Sequence, residues 1–214
     1  MICLCYSIHA QQNSETQKNR DAKVIVKWSP LHLIDHFPTF QIAVEQKIIK
    51  NISLQYDFGP VLSMTGFFSD FDTNKRGYKS KIQVRRYFSF PTQRWRVYVA
   101  PEIGYNYIDF TRGKTYLVEG IDDLSYYQYI ESQTKYRETN LGLIGGARYT
   151  TYRFCIDFQI GVVGRFMKFT APMIPGTHYH LESPDNNIRF EYYSDKSRNE
   201  IRPSVAVRFG YIIR

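Results

Sequence analysis

Two histidines in an extended stretch, His178 and His180, with Glu182 and Asp185 just beyond, are the closest this sequence comes to a metal site. Residues at i and i+2 of extended chain point the same way, as two imidazole ligands to one ion must. A polar surface loop accounts for the same residues. His32 and His36 stand four apart in HLIDH, but the sequence has no HExxH, and Pro30 and Pro38 flank them against a helix. For acyl chemistry, Ser183 or Ser194 with His178 or His180 and Asp185 would be the nucleophile, base and orienting acid. No G-x-S-x-G elbow exists to present either serine. The expectation is therefore no enzyme, no cofactor and no resident metal, with His178 and His180 as the weak metal candidates.

A second set of charged residues carries more information, because it follows a rule. Glu45, Asp57, Arg85, Arg148, Asp157 and Arg208, with Glu102 and Arg165, all fall on the polar phase of stretches that alternate with a period of two, with Arg86 the discordant charge in the outward phase. The clearest is Arg153 to Lys168: Phe154, Ile156, Phe158, Ile160, Val162 and Phe166 share one face. Cys155, Asp157, Gln159, Gly161, Val163 and Arg165 share the other. Such alternation is a β-strand with one face in an apolar medium and one in a polar one. A membrane-crossing strand needs about 9–11 residues, apolar outward and polar inward.

The same alternation recurs along the chain and predicts about eight strands, as in small transmembrane barrels. They are expected at 23–28, 39–46, 52–65, 78–88, 95–110, 136–149, 153–168 and 201–211. Pro101 interrupts the fifth and predicts a bulge there. Connections after the second, fourth and sixth strands are short, and those after the first, third, fifth and seventh are long. Residues 112–135 and 169–200 form the longest two. Sorting long loops to one end is the habit of outer-membrane barrels. Aromatics concentrate at both ends of the strands, as they do at a bilayer's two interfaces.

Composition agrees without deciding. The chain has 214 residues, aromatics make up 16%, and Tyr alone occurs 18 times, which favours strands. Mean hydropathy of −0.41 reflects a barrel's polar lumen and loops as readily as a soluble protein. The net charge of +8 is spread along the strands, with no nucleic-acid-binding motif, so nucleic acid is not expected as a partner. Residues 1–10 read as the remnant of a secretory signal, 11–22 as a disordered segment and 23–214 as the barrel domain.

The closing VAVRFGYIIR resembles the last strand of bacterial outer-membrane barrels, which the assembly machinery reads, although it ends in Arg214 where those end in an aromatic. KVIVKWSPLHLIDHFPTFQIAVEQKI followed by NISLQYDFG is also similar to small uncharacterised members of the outer-membrane β-barrel protein family. The resemblance implies an all-β, closed, antiparallel up-and-down transmembrane barrel in the bacterial outer membrane. Its implied partners are membrane lipid, lipopolysaccharide and the assembly machinery, and it implies a monomer. It brings no catalytic residues. Together these readings predict a structural or surface-interaction protein whose lumen is plugged by Glu45, Asp57, Arg85, Glu102, Arg148, Asp157, Arg165 and Arg208. The alternatives are a soluble lipocalin-like binding barrel with Phe and Ile inside, a barrel lipid-modifying enzyme and a narrow pore.

Overall fold

Extended segments with a period of two become strands when neighbours of the same period lie alongside, and here every one does. The computed structural model describes residues 24–63, 72–89, 94–119, 125–170, 179–180 and 197–213. Eight long strands are β1 (Val24–Ser29), β2 (Gln41–Ile49), β3 (Ile52–Pro60), β4 (Asp72–Ser89), β5 (Trp95–Glu119), β6 (Ser125–Thr150), β7 (Phe154–Thr170) and β9 (Ser197–Ile213). A two-residue strand, β8 (Tyr179–His180), lies beside Leu117 and Val118 near the far end of β5. Each long strand pairs antiparallel with its neighbours in sequence; β4 pairs β5, and β1 pairs β9, so the pairings close on themselves as a ring. No helix among the described residues is long and apolar enough to cross a membrane.

The alternation sorts side chains as the sequence requires, with the apolar face turned away from the ring. Phe154, Phe158, Ile160, Val162 and Phe166 of β7 are exposed, whereas Cys155, Asp157 and Gln159 are buried. Every long strand repeats this, with Trp28, Ile42, Phe58, Val84, Ile103, Leu143, Ile160 and Val205 all outside. The interior holds Lys27, Glu45, Asp57, Arg85, Asp157 and Arg208 at 3% exposure or less. This is the reverse of the lipocalin-like arrangement, in which Phe and Ile would fill the centre.

One end of the ring is closed by tight connections: Lys50–Asn51 joins β2 to β3, and 151–153 joins β6 to β7. The other end departs from expectation. The stretch 112–135, read from sequence as a loop, continues β5 and β6 in unbroken register from Trp95↔Tyr149 to Glu119↔Ser125. From Gly113 on β5 and Thr134 on β6, the described residues of this hairpin run past the ends of β4 and β7. Residues 72–77, also read as loop, belong to β4, while β3 stops at Pro60 rather than near 65. β7 and β9 likewise claim 169–170 and 197–200 from the second long connection.

The bulge predicted at Pro101 is absent. Pro101 pairs Leu143 of β6 in even register, and on the β4 side Gln83↔Glu102 resumes as Arg86↔Val99 without a shift. Proline removes one donor from the β4 ladder and leaves the alternation intact, so Val99, Pro101 and Ile103 all face outward. The β4–β5 ladder is irregular instead between Thr73 and Arg76, where Asn74 takes φ 53°. Gly77 follows at φ 150°, and a Cβ there would meet the Tyr107 carbonyl oxygen at 2.0 Å.

Candidate functional site

Near the short-turn end, inward positions from all eight long strands meet in one buried network. Lys27 of β1 places its ammonium 2.5 Å from both Glu45 of β2 and Asp157 of β7, and 2.9 Å from Gln55 Oε1 of β3. Arg85 of β4 donates Nη1 to Asp157 at 2.5 Å and to Glu45 at 3.2 Å. Arg148 of β6 reaches Glu45 at 2.8 Å, and Arg208 of β9 reaches Asp57 of β3 at 2.7 Å. Tyr98 of β5 donates to Asp157 at 2.7 Å; it lies across Gly146, where a Cβ would come within 2.4 Å of its ring. Tyr87 and Ser53 each donate to Glu45 at 2.8 Å. The guanidiniums of Arg85 and Arg148 also stack over Tyr98 and Tyr87, at 4.3 and 4.5 Å.

Of the eight interior residues expected from sequence, Glu45, Asp57, Arg85, Arg148, Asp157 and Arg208 are brought together. Glu102 and Arg165 are not members of that set. Glu102 is linked to it only through Gln83, whose Nε2 donates to Glu102 at 2.5 Å while its Oε1 accepts from Arg85; Glu102 lies 3.8 Å from Lys81 and has no guanidinium partner among the described residues. Arg165 stands eight residues along β7 from Asp157, roughly 26 Å at about 3.3 Å per residue, and pairs there with Glu138 and Tyr136. In the network Arg85 does not grip a carboxylate with both prongs of its guanidinium: it turns Nε and Nη2 onto Gln83 Oε1, at 2.9 and 2.7 Å. A fork of that kind occurs where Arg112 grips Asp72 at 2.7 and 2.8 Å, near the other end.

Lys27, Gln55, Gln83, Gln159, Tyr87 and Tyr98 were not singled out from sequence. The signal was available, since Ile25, Lys27 and Ser29 form the inward phase of β1. A lysine between Val26 and Trp28 reads as solvated until it is known that no solvent lies on that side.

The opposite end of the interior is filled by different means. The connection Pro30–Thr39 opens with a single 3-10 turn, Pro30–Leu33, and then folds inward. Phe37 is buried against Phe110, Tyr136 and Phe169, together with Val61, Ile108 and Met167. Its ring centroid lies 5.5 Å from those of both Phe110 and Tyr136. Lys79 tethers the connection, donating to Asp35 at 2.5 Å and to the Phe37 carbonyl at 2.9 Å. Asp35 is half exposed; burial of its oxygens opposes ionisation, but Lys79 overrides this and holds the carboxyl below its usual range. Burial, and then Lys81 and Lys79, push His32 well below the ordinary imidazole value, so it is neutral.

His32 and His36 thus belong to an inserted connection; His36 Nε2 lies 3.5 Å from Asp72. His178, Glu182, Ser183, Asp185 and Ser194 lie outside the described residues, and of His180 only the backbone pairing with Leu117 is described. Comparison of the chain with protein-family models, curated proteins and solved structures gives no match.

Proposed function

We propose that this chain is an integral outer-membrane β-barrel of a bacterium, closed to ions, whose long-connection end is a scaffold for contacts at the lipopolysaccharide surface or beyond it. The observation that carries the reading is the outward apolar face on all eight long strands, set against a charged and buried interior. In water such a face would leave Phe158, Ile160, Leu143 and Val205 exposed as one continuous apolar band, far larger than soluble monomers tolerate. In a bilayer the same band is the favourable one, and ring closure removes the unpaired edges that lipid forbids.

Aromatic rings at both ends support the same setting. Trp95 and Tyr149 pack at 5.0 Å and Phe154 and Tyr211 at 5.6 Å near the short turns. Trp28 and Phe40 at 6.2 Å, and Phe58 and Tyr78 at 6.1 Å, lie toward the other end. Two such belts suit the two interfaces of a membrane. The cross-linked interior supports a plug over a pore: Arg85 and Arg148 tie β4 and β6 to carboxylates of β7 and β2 across the ring.

Expressed with a secretory signal in a Gram-negative host, the protein should fractionate with the outer membrane. It should migrate faster on gels before boiling than after, and give no steady single-channel conductance in a planar bilayer. Recovery as a soluble periplasmic monomer would defeat the membrane assignment. Stable charge-selective conductance would defeat the plug and turn the same arginines into a pore lining.

A further inference from the structure

We propose that the outward face of β6 and β7, just past the apolar band at the long-connection end, holds the phosphomonoester headgroup of a membrane lipid between Arg137 and Lys168. This rests on the membrane reading above and deepens it by naming what lies against the ring. The starting point is register. Arg137 of β6 and Lys168 of β7 stand directly opposite one another, both exposed and in the outward phase of Leu141 and Phe166. Like charges facing each other across adjacent strands destabilise a sheet. An anion between them turns that repulsion into two attractions.

The chain itself does not supply that anion. Lys135, the next outward position of β6, adds a third cation, and exposed Arg76 of β4 a fourth. Asp109 of β5 faces Arg76 and Lys135 across its two ladders and accepts from Gln133 at 3.1 Å. Glu131 stands four residues beyond Lys135, where the hairpin has run past β7. On the other flank, β9 sets Ser197 opposite Lys168 and Asn199 opposite Phe166. Arg137 lies over the Tyr107 ring at 6.0 Å, and neither it nor Lys168 has a carboxylate partner among the described residues.

Depth puts the pair where headgroups lie. Phe166 stands twelve positions after Phe154. That is roughly 40 Å of strand at about 3.3 Å per residue, which a tilt near 40° shortens to about 30 Å, the thickness of a hydrocarbon core. Lys168 is two positions further. At this end β1–β3 turn Trp28, Phe40 and Phe58 outward instead, so the positive charge is gathered over β4 to β7. A phosphomonoester carries close to two negative charges and three accepting oxygens. A guanidinium fork and an ammonium facing each other match it in charge and in donors.

The test is native mass spectrometry of the full-length protein in detergent micelles, titrated with phosphatidic acid, phosphatidylglycerol or phosphatidylcholine. A one-to-one adduct is expected to form at the lowest concentration with phosphatidic acid, the phosphomonoester. Arg137→Gln and Lys168→Gln should each weaken that adduct roughly fivefold, the worth of one cation at an anionic surface, with Arg137→Lys falling between. Arg86→Gln, outward on β4 near the short turns, should leave it unchanged. Affinity for phosphatidic acid no greater than for phosphatidylglycerol, or an equal loss in Arg86→Gln, overturns the proposal. Heat-modifiable migration of each variant shows independently that the ring has formed. Protein recovered from the outer membrane without this lipid preference defeats the headgroup site alone, whereas recovery from the soluble periplasm defeats the membrane reading and the site with it.

Discussion

The two halves of the ring's interior use the same inward-facing positions and fill them by opposite chemistry. Toward the short turns, Lys27, Glu45, Arg85, Asp157 and their partners form one charged network contributed by strands. Toward the long connections, Phe37, Phe110, Tyr136 and Phe169 form an aromatic cluster completed by a residue that no strand supplies. The difference lies in what happens when one member is lost. A missing charge leaves its partner buried and uncompensated, a cost of roughly 3–5 kcal/mol. A missing ring leaves a gap that the inserted connection can relax to fill. The first half is therefore brittle and specific, the second adaptable.

The largest effect should come from Asp157→Ala, which leaves Glu45 as the one carboxylate paired with both Lys27 and Arg85 and should cost roughly 3–5 kcal/mol in denaturant unfolding of the membrane-reconstituted protein. Asp157→Asn should cost less, because it keeps an acceptor. A loss under about 1 kcal/mol, the value of exposed pairs, would mean that the lower half is wet, and the contrast would collapse.

Phe37→Ala should fall below the roughly 3–5 kcal/mol of a typical buried Phe truncation, because the connection can shift. Its signature is local: amide exchange rises over 30–39 while β2, β3 and β7 stay protected. Global unfolding at the cost of Asp157→Ala would show that both halves are equally rigid. Conductance should stay absent in Phe37→Ala, since the charged half still blocks the passage.

Smaller still is Asp35→Asn, about 0–1 kcal/mol, because the Lys79 tether is half exposed. Its pH behaviour follows from sign. A carboxyl whose folded pKa is depressed contributes stability above the unfolded value near about 4, and loses it only as pH falls below that. His32, depressed in the other charge type, is protonated more readily once unfolded. Its contribution is present above about 6.5 and fades as pH falls below it. Protection of the amides over 30–39, relative to their intrinsic exchange rate at each pH, should therefore fall as pH is lowered from 7.5 to 5, and His32→Gln should flatten that dependence.

The strands and their facing were legible in the sequence wherever an apolar medium lay on one side, because a period of two then separates Phe158 from Asp157 without ambiguity. Six of the network's charges were legible for the same reason. Beyond Arg112 and before Lys135 the pattern failed: with polar residues on both faces of the ribbon, nothing in RGKT or ESQT separates paired strand from loop. Phe37 was illegible because an aromatic in a proline-flanked connection has no period to place it. Arg165 was assigned the correct face and no layer, since alternation specifies which side a residue is on and register alone specifies its depth. Pro101 misled by a rule that assumes both ladder donors are needed.

The central claim is that the outward face meets lipid, and spin labels on that face test it most directly. Labels at Phe158, Ile160, Leu143 and Val205, in protein reconstituted into vesicles, should be accessible to oxygen and shielded from a water-soluble nickel chelate, with Thr151 in the short turn showing the opposite. Chelate access at 158 and 160 equal to that at 151 would contradict the account and place the apolar band in water.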